Sequence, residues 1–370
     1  SKNYADADPV LLQHDINITD LAMVLYTSGT TGRPKGVMLS HVNISSNTSS
    51  IIEYLKLTHN DSIVNILPFF YSFGNSILMT HLAVGGLVII ENNFMYPNKI
   101  VRTMLTERPT GFSGVPSTYY ILLSKTSFLK YDWSSLRYIS QAGGGMRVNI
   151  IKQLIKTLNN TKIFIMYGQT EASARLTYLE PVYVEKKIGS IGMAIPGVKI
   201  RIINGDGQDV KKGNVGEIIA KGDNIMMGYL NNPTESLKSL KDGWLYTGDM
   251  GYFDNEDFIY LTSRKSDFIK SGAYRISPGE IEEVIAEIEG ILDVAVIGIN
   301  DNLLGEAIMA CINCPSECFD VEKIRKHCLA ILPFYKVPRH FVYEPNIPLT
   351  ASGKKQYHIL RSKYKNFNFN

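Results

Sequence analysis

At 370 residues with 45% hydrophobic content, the chain is long enough for more than one core. Its 38 basic and 35 acidic residues leave a net charge of +3, too weak a bias to argue for nucleic acid or an anionic membrane surface as partner. No apolar run approaches the ~20 residues a membrane span needs, and residues 1–8 are polar with no signal-peptide core, so a cytoplasmic chain is expected.

Residues 1–20 read as an irregular lead-in. An apolar run at 21–26 then meets Thr27-Ser28-Gly29-Thr30-Thr31-Gly32-Arg33-Pro34-Lys35-Gly36, and a second apolar run follows at 37–39. Glycines let the backbone reach positive φ and bring N–H groups close to an anion. The Ser and Thr hydroxyls add donors to phosphate oxygens, and Lys35 is a mobile cation that can follow a leaving pyrophosphate. A Ser/Thr/Gly linker has similar composition but lacks this order of types between tight apolar flanks. Pro34 stands where the Walker motif needs glycine, so this is a phosphate loop of another kind. The run resembles the phosphate loop of the adenylate-forming enzymes, which include acyl- and aryl-CoA synthetases, adenylation domains and firefly luciferase. Those enzymes carry a substantial subdomain ahead of the loop, so this chain is expected to be N-terminally incomplete.

Beyond the loop, residues 37–40 predict a strand and 43–57 a helix entered through a Ser/Asn-rich turn. His41 suits either an approach to the nucleotide or a polar helix entry. A strand is expected at 63–67, then Pro68-Phe69-Phe70-Tyr71-Ser72-Phe73-Gly74. The resembled family often has histidine at the position of Tyr71, as an aromatic gate beside the acyl site. Amino-acid-activating members place an aspartate nearby, and none occurs between Leu67 and His81. A buried ammonium without a counter-ion is costly, so α-amino acids are disfavoured as substrates.

A strand at 86–91, a helix near 96–107 and a strand at 136–140 lead into Gln141-Ala142-Gly143-Gly144-Gly145-Met146, with a helix following to about 158. A strand, a glycine turn and a helix place ligands at strand C-termini. Gly143, Gly144 and Gly145 leave room for a flat base or an extended acyl chain. The strand at 162–166 ends in Tyr167-Gly168-Gln169-Thr170-Glu171, a second match to the family. Tyr167 offers a ring to adenine, Thr170 a hydroxyl to the α-phosphate, and Glu171 a hard oxygen ligand for Mg²⁺. Gly168 and Gln169 belong to the same nucleotide-binding turn. Taken alone, the run fits equally a strand ending in a tight turn with a solvated glutamate.

A β-rich stretch follows, with a hairpin marked by Asn204-Gly205-Asp206-Gly207 and strand-like runs at 198–203, 216–218 and 227–229. In Tyr246-Thr247-Gly248-Asp249, Asp249 suits a carboxylate accepting both ribose hydroxyls. After a strand at 257–262, the family has an arginine contacting ribose or phosphate two residues before a hinge. Arg264 and Ser266 stand there, a serine where Asp or Lys is usual. By the same resemblance, Ser271-Gly272-Ala273 lines a pantetheine channel, with Gly272 at its centre. Ser277-Pro278-Gly279-Glu280 reads as a capping box opening a helix to about 289. Strands at 291–299, 307–312 and 340–343 and a helix at 320–332 complete an α+β unit of about a hundred residues. Near its end stands Pro348-Leu349-Thr350-Ala351-Ser352-Gly353-Lys354. In the family, the lysine of this turn bridges substrate carboxylate and α-phosphate. Tyr357 stands where an arginine is usual. Cys311, Cys314, Cys318 and Cys328 include a Cys-x-x-Cys, but no His pair with ligand spacing stands beside it, so reduced thiols are expected.

The resemblance thus implies an α/β adenylate-forming-enzyme fold: a large multi-sheet N-terminal domain (residues 1–264, incomplete) and a small mobile α+β C-terminal domain (265–370). It implies ATP, Mg²⁺ and CoA as cofactors and a carboxylic acid, a medium- or long-chain fatty acid, as substrate. The thiol is CoA or a carrier protein's phosphopantetheine. The alternatives are an aryl or carrier-protein-loading adenylating enzyme, or a nucleotide-binding remnant without turnover.

Overall fold

Five short apolar strands lie parallel in the computed structural model, which describes residues 15–27, 34–91, 96–264, 268–272, 274–301, 303–349 and 355–365. Across the sheet they run Leu87–Ile90, Ser62–Asn65, Gly111–Gly114, Tyr138–Gln141 and Lys162–Tyr167. Near-continuous apolar runs are what parallel strands covered on both faces require, and Ile63, Val64, Phe112 and Ile139 are fully buried. The helices His41–Leu55, Ser72–Ala83, Pro97–Glu107, Pro116–Lys125 and Val148–Thr157 alternate with these strands along the chain.

The first helix starts two residues before its predicted position because Ser40 caps it. Asn43 N donates to Ser40 Oγ at 3.3 Å, and Ser40 N donates back to Asn43 Oδ1 at 2.9 Å. Lys56, in the left-handed conformation at φ 53°, ends it. The sequence reading missed Ser72–Ala83 and Pro116–Lys125. The first of these spends its hydroxyls inside the helix, Ser76 Oγ on the Phe73 carbonyl and Thr80 Oγ1 on that of Ser76.

Beyond Lys162–Tyr167 the same sheet turns antiparallel, through Thr177–Leu179, Ser190–Ala194, Ile259–Arg264, Trp244–Phe253, Gly216–Lys221 and Lys199–Ile203. The predicted hairpin turn at 204–207 closes only a small loop, with Asn204 Oδ1 accepting from Asp206 N and Gln208 N and a bridge between Ile203 and Asp209. The partner strand begins later, at Gly216. A separate three-stranded sheet pairs Leu21–Thr27 with Lys35–Ser40, and Lys35–Ser40 with Gly228–Tyr229.

Residues 269–364 form a second unit around the antiparallel pair Asp293–Asp301 and Gly305–Asn313, flanked by Ile269–Ser271, Tyr274–Ile276 and His340–Tyr343. Helices Pro278–Ala286, Val321–Ile331 and Tyr357–Lys363 pack on it, and its apolar clusters share no residue with those of the larger unit. The capping box expected at Ser277 is absent. Its Oγ donates instead to the Thr262 carbonyl, a bond across to the strand before the small unit, and Pro278 alone starts the helix. Cys311 and Cys328 are buried thiols in these clusters, and burial pushes their pKa values to about 12 and about 11. Among the described residues no group of His, Cys, Asp and Glu is placed to hold a metal ion, and no helix is long and apolar enough to cross a membrane.

Candidate active site

The two ends of the phosphate-loop candidate lie in paired strands. Thr27 and Lys35 face one another across the last rung of the hairpin. Ser28, Gly29, Thr30, Thr31 and Gly32 lie outside the described residues. Lys35 Nζ sits 2.5 Å from Glu235 Oε2 and 5.1 Å above the ring of Tyr229. Hydrogen bonds from Lys238 and Lys35 hold the Glu235 carboxyl down to about 2. The lysine is thus parked on a half-buried carboxylate that it shares with Lys238.

Tyr229 links this hairpin to the next motif. Its hydroxyl donates to Glu171 Oε1 at 2.9 Å. Burial, and then the Glu171 charge, raise the Tyr229 pKa, so the phenol stays a neutral donor. Glu171 lies on the short 3₁₀ turn Thr170–Ala172 that follows Lys162–Tyr167. Thr170 Oγ1 donates to Ser72 Oγ at 3.2 Å, tying this turn to the start of the helix Ser72–Ala83 and so to the aromatic segment. In that segment Arg175, buried, lies 4.1 Å over the ring of Phe73. Burial pushes the pKa of Tyr71 up and that of Arg175 down.

Tyr167 and Asp249 meet directly. The phenol donates to Asp249 Oδ2 at 2.7 Å, and both residues are buried. Sequence reading gave them separate tasks, ring to adenine and carboxylate to ribose. One hydrogen bond now sets both orientations. Asp249 also stands opposite Arg264 in the ladder of Trp244–Phe253 with Ile259–Arg264, which brings a third candidate to the same place. Gly168 leads from the strand into the Thr170 turn through Gln169, whose backbone is extended. Gly143 takes φ +90°, and the carbonyl of Gly144 accepts from Gln141 Nε2 at 2.6 Å, fixing the glycine turn onto its own strand. Gly272 belongs to the smaller unit, where its N–H donates to the Leu304 carbonyl at 2.8 Å and its φ is +59°. Ser266, Ala273 and Lys354 lie outside the described residues.

Sequence reading thus missed three participants, Tyr229, Glu235 and Ser72. The only signal for Tyr229 was its place in a strand-like run, because its partner Glu171 is 58 residues away.

The carboxylate turn and the paired Tyr167–Asp249 are held by different parts of the chain, and the chain as a whole is similar to known proteins. The AMP-binding enzyme family matches residues 2–230, and its C-terminal domain matches residues 280–354. The chain is 34% identical to the long-chain-fatty-acid–CoA ligase of Bacillus subtilis over 90% of its own length and 60% of that protein. It is 32% identical to the 2-succinylbenzoate–CoA ligase of Bacillus licheniformis over 96% of its length and 73% of that protein. Among solved structures, the o-succinylbenzoate coenzyme A synthetase of Bacillus subtilis, in complex with ATP and magnesium, superposes with a TM-score of 0.84. That match has 30% identity and covers 94% of this chain and 70% of that one. The chain therefore spans roughly two thirds of the length of such relatives. Matched over most of its length, it belongs to the AMP-binding enzyme family.

Proposed function

We propose that the chain is an ATP-dependent acid–thiol ligase. A substrate carboxylate attacks the α-phosphate of ATP, forming acyl-AMP and releasing pyrophosphate. A thiol then attacks the acyl carbon and AMP leaves. No protein nucleophile is needed, so catalysis is positioning and charge stabilisation. The observation that carries this reading is the meeting of the two hydroxyl- and carboxylate-bearing motifs with Lys35 through Tyr229.

Lys35 and the loop residues Thr27, Ser28, Gly29, Thr30, Thr31 and Gly32 bind the β- and γ-phosphates. Thr170 donates to the α-phosphate. Glu171 suits magnesium: it is a hard oxygen ligand bonded to a neutral phenol, and the ion would shield phosphate charge. Tyr167, Gly168, Gln169 and Gly143 to Gly145 frame the nucleoside, while Asp249 and Arg264 take the ribose. Lys354 bridges carboxylate and α-phosphate. The boundary between the domains falls at residues 264–265, and Gly272 lines the path of the thiol, CoA.

For the acid we favour a medium- or long-chain fatty acid, supported by the fatty-acid–CoA ligase relative and the glycine floor. The 2-succinylbenzoate ligase keeps an aryl acid as the second reading. Pyrophosphate release from MgATP, with a panel of acids and with or without CoA, tests all of this. Release dependent on a long-chain acid and raised by CoA supports it. Release with aryl acids alone selects the second reading, and none from a folded chain removes the activity.

Two substitutions refine the assignment. Asp249→Asn is expected to raise the KM for ATP by roughly 10–100-fold with a smaller change in kcat, the weight of charge-assisted hydrogen bonds to a neutral ligand. Exchange of labelled pyrophosphate at varied ATP measures it, and an unchanged KM removes Asp249 from the ribose site. Ser266→Pro fixes φ at the proposed hinge and is expected to leave adenylation intact while blocking thioester formation. Unchanged overall turnover would refute the hinge.

A further inference from the structure

Glu235 stands on the short helix Pro233–Ser239, which is fastened to the strand Gly228–Tyr229. Asn232 caps the helix, its Oδ1 accepting from Glu235 N at 3.2 Å. Ser236 Oγ accepts from Tyr229 N at 2.8 Å and donates to the Asn232 carbonyl at 2.9 Å. The carboxylate is therefore carried on a fixed platform. Lys35 reaches it on a flexible four-carbon stem from the last rung of its hairpin.

This carboxylate has one lysine on each oxygen. Lys35 Nζ lies 2.5 Å from Oε2, and Lys238 Nζ lies 2.7 Å from Oε1. The two cations differ in their surroundings. Lys35 is 18% exposed and lies 5.1 Å from the centre of the Tyr229 ring, whereas Lys238 is 68% exposed and stands three residues along the same helix as Glu235. If Lys35 leaves, Glu235 keeps the pair with Lys238, and no bare carboxylate is stranded. Lys238 does more than Lys35 to hold the carboxyl low, so Glu235 remains an anion after Lys35 departs. An arriving polyphosphate thus draws off a cation whose partner is already served. A departing one leaves the lysine an anion to return to.

We propose that Glu235 is a positioning residue for Lys35: the lysine exchanges Glu235 for the β- and γ-phosphates when ATP binds and returns to Glu235 as pyrophosphate leaves. The carboxylate competes with phosphate for one cation, so it lowers affinity for the polyphosphate and speeds its release. Tyr229 keeps the exchange short-ranged. Its ring lies under the lysine, and its hydroxyl is bonded to Glu171, the carboxylate assigned to magnesium. This inference rests on the assignment of Lys35 to the phosphates in the ligase reading above.

The test measures binding of inorganic pyrophosphate with Mg²⁺ by titration calorimetry, which needs neither an acid nor turnover. Glu235→Gln is expected to tighten pyrophosphate roughly 3–10-fold, the weight of a half-buried ion pair that no longer competes. Lys35→Met should weaken it roughly tenfold, which leaves binding measurable at millimolar pyrophosphate. In the Lys35→Met background, adding Glu235→Gln should shift the Kd by less than about twofold, because the carboxylate acts through the lysine. Tightening of equal size in both backgrounds would reduce Glu235 to a distant negative charge and overturn the exchange. Unchanged or weaker binding in Glu235→Gln would overturn it too, as would wild-type binding in Lys35→Met. In turnover with an accepted acid, inhibition by pyrophosphate should strengthen in Glu235→Gln by the factor seen in calorimetry. A chain that activates no acid but shows the expected shifts in binding loses the ligase reading and keeps the exchange. Acid-dependent turnover without those shifts does the reverse.

Discussion

Replacing Lys354 by alanine is expected to lower acyl-adenylate formation by roughly 10²–10³, the usual cost of removing one donor aimed at developing charge. Negative charge builds where the substrate carboxylate meets the α-phosphate, and two anions approach one another there. A lysine at that point offsets the repulsion in the transition state more than in the ground state, so the loss should fall on kcat. Its neighbour Lys355 is committed to Glu282 and Asp293 and cannot substitute. The second half-reaction begins from an adenylate already formed, so thioester production from supplied acyl-AMP should survive. Measuring the two half-reactions separately checks this. Equal loss in both would assign Lys354 to general stability or to nucleotide affinity.

The second large effect is expected on stability. A Cβ at Gly168 would lie 2.1 Å from the Ala174 carbonyl oxygen and 2.7 Å from Arg175 Cα, both backbone atoms that no rotamer change can move. The chain closes on itself there: Leu176 N donates to the Tyr167 carbonyl at 2.9 Å, and Ser173 takes φ 59°. Gly168→Ala must push this loop apart, at a cost of about 3 kcal/mol or more. For a unit of this size that lowers Tm by roughly 6–12 °C. Because the loop carries Thr170 and Glu171, adenylation should fall with it. Gly205→Ala, in open space without a positive φ, is the control and should leave Tm unchanged. An unchanged melting curve for Gly168→Ala would mean that the loop yields far more easily than its contacts imply.

What the sequence disclosed and withheld follows from the range of the interactions involved. Strands such as Lys162–Tyr167 were legible because burial on both faces imposes an unbroken apolar run. Local candidate motifs stood out because a phosphate loop or a strand-end carboxylate would need its residue types within a dozen positions. The helix Ser72–Ala83 was hidden by its own polar residues. His81 Nε2 lies 3.0 Å from the buried Tyr138 hydroxyl, and the side chains of Ser76 and Thr80 turn back on the helix, so no amphipathic pattern shows. The capping box failed for a related reason. Ser277 has a long-range acceptor in Thr262, and no local rule names it. The pairs Tyr229–Glu171, Tyr167–Asp249 and Arg147–Asp293 span 58, 82 and 146 residues, and nothing in the periodicity of either partner announces the other.

The hairpin that holds the loop at 28–33 gains its third strand only when Met38 and Val37 pair with Gly228 and Tyr229. On the ribosome these strands are made far apart in time. At about 5–20 residues per second, some 190 residues take roughly 10–40 s to add. During that interval the outer edge of Lys35–Ser40 has unsatisfied backbone groups and no native partner in existence. The nascent chain thus carries an open, apolar ribbon through the middle of its own synthesis, a natural site for a chaperone to engage and a natural place for truncated products to aggregate.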